Sequence, residues 1–239
     1  MEYPHNRPYT ADDLVRIITL LRDPVNGCPW DKVQTHTSIR MNFLEEAYEA
    51  VDALDLDDPV LMCEELGDVL MQVAFHTCME QETGRFTWEQ VCDGVCQKLI
   101  ERHPNIFGTQ PGYEGITDWD ALKNKEKGRR TLADDLESVP RAMPALMRAA
   151  KLQKRAARHG AALQGADAAA LADAAENLQT AQPASAQAEQ AVGELLFAAA
   201  NLARQAGVDP EQALQKANEA FCTAAGPVAV SYTHLRAHE

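Results

Sequence analysis

No stretch of this 239-residue sequence approaches the ~18–20 consecutive apolar residues that a membrane-spanning helix needs, which predicts a chain that makes no membrane contact. The N-terminal MEYPHNRPYTADDL lacks the charged-then-apolar pattern of a secretory signal. Aromatic residues make up only 6%, and glycine and proline are sparse against abundant alanine, which argues against a strand-rich sandwich and for helices. The six cysteines contain no CxxC pair, so a disulfide scaffold is excluded at this length; reduced thiols in a cytoplasm are the expectation. Cys92 and Cys96, one helical turn apart, read as packing. Basic residues are in deficit, 22 against 36 acidic, and a net charge of −14 excludes a general nucleic-acid binder. No HExxH helix, EF-hand loop or GxxxxGK[ST] phosphate loop occurs.

What remains is helical. Thr10 caps a helix with Asp12 and Asp13 in its positive first turn, and Leu14, Ile17, Ile18 and Leu21 recur along it. PVNGCPWD reads as a loop. Further helices are predicted over 38–54, 59–81, 87–102 and 118–127, with DLDDP as the turn between the first two and Leu66, Val69, Leu70, Val73 and Ala74 as the inner stripe of the second. A link carrying Pro140 and Pro144 follows. The second half is alanine-rich and helical over 141–158, 166–181, 186–206 and 209–224. The tail from 226 to 239 has no periodicity that places it in either half.

From Glu45 to Asp68 there are ten acidic residues and no lysine or arginine. They form two helical phrases, EEAYE and EELGD. Glu46 and Glu49 share one helix face, as do Glu65 and Asp68. Folding the two helices antiparallel about Asp57 sets Glu46 level with Asp68 and Glu49 level with Glu65. Four carboxylates then converge, flanked by Leu44, Tyr48, Val51, Leu66, Val69 and Val73. At ~4 Å each like-charged pair costs about 1 kcal/mol in water and about 4 at an effective dielectric near 20. Hard divalent cations relieve that cost, and an all-oxygen donor set selects Mg²⁺ or Mn²⁺ over Zn²⁺. A structural surface would alternate signs.

A magnesium cluster of this kind handles phosphate. Lys98 and Arg102 lie four apart before HPNIF, and Trp119 and Lys123 lie four apart at the head of a basic run through Arg130. An aromatic face beside cations suits a base and a polyphosphate.

Taken together, NGCPWD (26–31), EEAYE (45–49), EELGDVLMQVAFH (64–76), KLIERHPNIF (98–107) and WDALKNKEK (119–127) resemble the MazG nucleoside triphosphate pyrophosphohydrolases of the all-α NTP pyrophosphatase superfamily. The resemblance spans roughly 12–225. It implies an all-α fold of helical-bundle domains, a homodimer, and Mg²⁺ at Glu46, Glu49, Glu65 and Asp68. It implies substrate contacts at Lys98, Arg102, Trp119 and Lys123. Glu45 takes the first glutamate of the motif, with a role in orienting water or ligand. Trp30 and Asp31 shape the wall of the site.

A worn second copy follows. GELLFAAANLAR (193–204) echoes GDVLMQVAFHTC (67–78). By position Glu176 stands for Glu46, Gln179 for Glu49, Ala191 for Glu65 and Glu194 for Asp68, so two of the four sites have lost their acid. The Trp-x-x-x-Lys element does not recur. The expected organisation is an intact MazG-like domain at 10–130, a linker at 131–145, a degenerate copy at 146–225 and an unassigned tail.

The expected chemistry is Mg-dependent hydrolysis of a nucleoside triphosphate to monophosphate and pyrophosphate, clearing unwanted or non-standard nucleotides. Glu45 or Glu46 takes the proton from water. The alternative is a non-catalytic helical dimerisation or regulatory protein whose acidic face is merely solvated.

Overall fold

A computed structural model of the chain describes residues 3, 5, 7–108, 122 and 126–225. The described residues form helices joined by turns and irregular loops, with no strand among them. The chain divides into two compact units, Met1–Ile116 and Thr117–Glu239.

The first unit holds α1 (Ala11–Leu21), α2 (Arg40–Asp55), α3 (Pro59–Glu82) and α4 (Trp88–Arg102), with a 3₁₀ turn at Asp31–Val33. Side-chain caps start three of the four helices, α1, α3 and α4. Thr10 and Asp13 form a reciprocal capping box on α1, as Thr87 and Gln90 do on α4. Asp58 caps α3 by accepting from the amides of Val60 and Leu61 at 2.9 and 3.1 Å, and Pro59 takes the first helical position. Asp57 turns the chain between α2 and α3 with φ of 53°, a conformation that aspartate tolerates better than most residues.

Helices α1, α2 and α4 each pack on α3. The core joins Ile18, Ile39, Ala74, Phe75, Cys78, Met79 and Trp88. This corrects the stripe expected on α3. Ala74 is buried, but Leu66 and Leu70 are 52% and 40% exposed. Near the hairpin tip α3 meets α2 through Ala50 and Ala53, and only farther along does α1 cover it. Among the expected flanking residues, Tyr48 and Val51 are also exposed.

The second unit holds α5 (Leu132–Glu137), α6 (Ala145–Arg158), α7 (Ala168–Thr180), α8 (Ala186–Gln205) and α9 (Pro210–Ala224). Here α6, α7 and α9 each pack on α8. A central long helix thus meets three others in the same chain order as in the first unit. Polar side chains tie the alanine-rich helices together. Gln153 donates to the carbonyl of Phe197 at 2.7 Å and Asn201 to that of Ala166 at 2.6 Å. Arg155 pairs with the buried Asp135 at 2.9 Å. Helix α5 falls where a link was expected. It is six residues long and shows in the sequence only as the capping box of Thr131 with Asp134. The helix expected over 118–127 lies largely outside the described residues; of its span, Leu122 and Glu126 are described as helical. The tail at 226–239 also lies outside them.

Candidate metal centre

The α2–α3 hairpin carries the acidic phrases on facing helices. Glu46, Glu49 and Glu65 each offer a carboxylate oxygen, and these oxygens lie within 4.8 Å of one another. Glu49 is exposed, whereas Glu46 and Glu65 are half-buried. Asp68 stands outside that set of three but inside its field, because its charge acts on Glu46. Burial, reinforced by the charges of Asp68 and Glu49, pushes the Glu46 carboxyl above its ordinary range. Burial, reinforced by Glu64, does the same to Asp68. Gln72, one turn beyond Asp68, opposes this by donating to Glu46 Oε1 at 3.4 Å.

The donor set suits a hard cation. Mg²⁺ takes oxygen ligands at ~2.1 Å, so oxygens on opposite sides of one ion stand about 4.2 Å apart, within the spread of these three. The residues that would hold the ion are acceptor-only carboxylates with neither sulfur nor imidazole in the cluster.

The remaining expected residues are placed as follows. Glu45 is exposed on α2 and outside the cluster. Lys98 is exposed on α4, and Arg102 is half-buried in the last turn of that helix. Trp119 and Lys123 lie outside the described residues. Trp30 is 56% exposed, and its carbonyl accepts from Gln34 Nε2 at 2.9 Å.

The loop bearing Trp30 is clamped. The buried Arg22 grips both oxygens of Glu82 at 2.5 and 2.9 Å. The same guanidinium donates to the carbonyls of Asp31 and Gln34 at 2.7 and 3.2 Å. Gly27 is required by space: a Cβ there would stand 2.4 Å from the carbonyl oxygens of Leu21 and Asp23.

Residues 34–107 match the MazG nucleotide pyrophosphohydrolase domain. The nucleoside triphosphate pyrophosphohydrolase of Escherichia coli (strain K12) is 41% identical over 219 residues, which cover 88% of this chain and 83% of that protein. The chain belongs to the MazG family of nucleoside triphosphate pyrophosphohydrolases. A second member, the nucleoside triphosphate pyrophosphohydrolase/pyrophosphatase MazG of Thermotoga maritima, is 39% identical over 212 residues, 88% of this chain and 82% of that one. The nucleoside triphosphate pyrophosphohydrolase of Mycobacterium tuberculosis is 34% identical over 154 residues, 63% of this chain and 46% of its own. The matched domain spans all of α2, α3 and α4, so the acidic cluster, Lys98 and Arg102 lie within the MazG domain and Trp30 just before it.

Two polar features of this domain escape a reading of local pattern. Gln72 is one; its position four residues after Asp68 was the available signal. The other joins His36, in the loop before α2, to His76 on α3. Their Nδ1 atoms lie 2.7 Å apart, and His36 Nε2 meets Glu80 at 2.6 Å. Forty residues separate the two histidines, and only the tertiary fold brings them together.

Proposed function

We propose that the chain hydrolyses nucleoside triphosphates to monophosphate and pyrophosphate with Mg²⁺, or Mn²⁺ in its place, held by Glu46, Glu49, Glu65 and Asp68. The observation that carries this reading is the meeting of three carboxylates from two helices within 4.8 Å. When bound, the ion supplies neutralisation of the polyphosphate and raises the acidity of water beside it. Glu46 is the side chain suited to receive a proton, since its raised pKa brings it nearer the operating range of a general base. Glu49, Glu65 and Asp68 hold the negative field that keeps polyphosphate away until a cation is present. Lys98 and Arg102 offer positive charge to the departing pyrophosphate, and Trp119 with Lys123 a face for the base. Trp30, on its clamped loop, walls the site. Glu45 lies beside Glu46 in sequence and is the alternative proton acceptor.

We further infer a homodimer. Tyr48, Val51, Leu66, Leu70, Val95 and Leu99 of the first unit are each 40% or more exposed, a cost that a partner surface relieves. The second unit repeats the packing order of the first and is read as its worn copy, with a structural or regulatory role. No helix among the described residues is long and apolar enough to cross a membrane. All six cysteines are free thiols, which suits a cytoplasmic setting. The acidic balance disfavours nucleic acid as a partner.

The test is product analysis. Incubation with Mg²⁺ and each of the eight common nucleoside triphosphates, followed by anion-exchange chromatography, should give monophosphate and pyrophosphate in equal amounts. Diphosphate with orthophosphate would contradict the proposed bond cleavage.

A further inference from the structure

Gln72 is 6% exposed beside the acidic cluster, and no local pattern demands it there. A carboxylate only accepts hydrogen bonds, so the amide must turn its Nε2 toward Glu46, as it does. The Oε1 atom is thereby left buried with no partner among the described residues. An unpaired buried acceptor costs stability, so an apolar residue of the same size would serve the helix interface at least as well.

The second unit supplies an internal control. In the echo between 67–78 and 193–204, Ala198 stands at the position of Gln72. Ala198 is 0% exposed in a helical hairpin with the same packing order. That hairpin therefore forms without the amide. It is also the hairpin in which Ala191 and Gln179 stand where the first unit has Glu65 and Glu49. The second unit lacks the amide together with the acids at the positions of Glu49 and Glu65, and has acids only at those of Glu46 and Asp68.

We propose that Gln72 is a positioning residue that fixes the Glu46 carboxylate as a ligand for the divalent cation. The inference rests on the metal reading given above. Groups that orient a metal's ligands typically govern affinity by about 10–100-fold.

The experiment is a Mg²⁺ titration of the full chain, stripped with EDTA and followed by thermal unfolding. It compares the natural chain with Gln72→Met, which conserves volume, and Gln72→Ala, which copies the second unit. The expected result for Gln72→Met is a metal-free Tm equal to or above that of the natural chain. In both variants the Mg²⁺ concentration giving half-maximal stabilisation rises about 10–100-fold. Turnover recovers toward the natural rate as Mg²⁺ is raised. An unchanged Mg²⁺ midpoint in either variant overturns the inference. So does a metal-free Tm lowered by more than about 4 °C in Gln72→Met, the mark of a core role. If the natural chain itself shows no Mg²⁺ stabilisation, the metal reading falls and this inference with it. A normal response of the natural chain with unshifted variants removes the role of Gln72 alone.

Discussion

At Glu46, burial, the charge of Asp68 and the charge of Glu49 all disfavour ionisation, and the amide of Gln72 alone favours it. The folded chain thus holds a proton on Glu46 more tightly than the unfolded chain does, and likewise on Asp68. The stabilising contribution is full below the ordinary values, 4.5 for Glu46 and 3.8 for Asp68, and is lost as pH rises through the raised folded values. Asp13 and Asp134 behave oppositely. Capping donors hold them low, so their contribution is lost only as pH falls below 3.8. In EDTA, Tm should therefore decline as pH rises above 4.5 more steeply in the natural chain than in Glu46→Gln. Calorimetry across that range checks it; parallel curves would contradict the burial of Glu46. At neutral pH the same variant should be at least as stable without metal, because a neutral isostere removes like-charge repulsion of order 1 kcal/mol per pair. Its turnover, and that of Glu65→Gln, should fall by at least about 10²-fold in a pyrophosphate-release assay.

At the scale of the element, the helix starts were legible because capping is local: Thr10, Asp58 and Thr87 each announce a helix within four residues. The facing of Glu46 and Glu49 toward Glu65 was also legible, since the turn at Asp57 and two helical periods determine it. The inner stripe of α3 was not. That helix is apolar on more than one face, and which face is covered depends on where α1 and α2 reach along it. The clamp on the loop before α2 was invisible for the same reason, since Arg22 and Glu82 are sixty residues apart. Replacing Arg22 with alanine removes bonds to two backbone carbonyls and to a half-exposed carboxylate. It should cost about 2 kcal/mol in a denaturant titration, charge-assisted bonds being worth roughly 1.5–3 each before solvent compensates at Glu82. Gly27→Ala should cost at least as much, because the backbone must move to admit the methyl group. A denaturant midpoint unmoved by both would mean that the loop is not held this way.

At the scale of the molecule, two units with one packing order carry different side chains. The first holds the acidic set of Glu46, Glu49, Glu65 and Asp68 with the buried amide of Gln72. The second carries Glu176 on α7 and Glu194 on α8, and Glu194 accepts from Gln190 at 2.8 Å. Two carboxylates hold Mg²⁺ poorly without phosphates to complete its shell. Replacing Glu176 and Glu194 together with alanine should leave turnover within about 2-fold, a change smaller than 0.5 kcal/mol in barrier. Loss of turnover in a folded double variant would place catalysis in the second unit. The account as a whole turns on the cation between α2 and α3. Crystals soaked in Mn²⁺ and measured at the manganese absorption edge test it most directly. The predicted result is an anomalous peak bounded by Glu46, Glu49 and Glu65, with Asp68 turned toward it. A map with no peak there, and these carboxylates diverging into solvent, would contradict it.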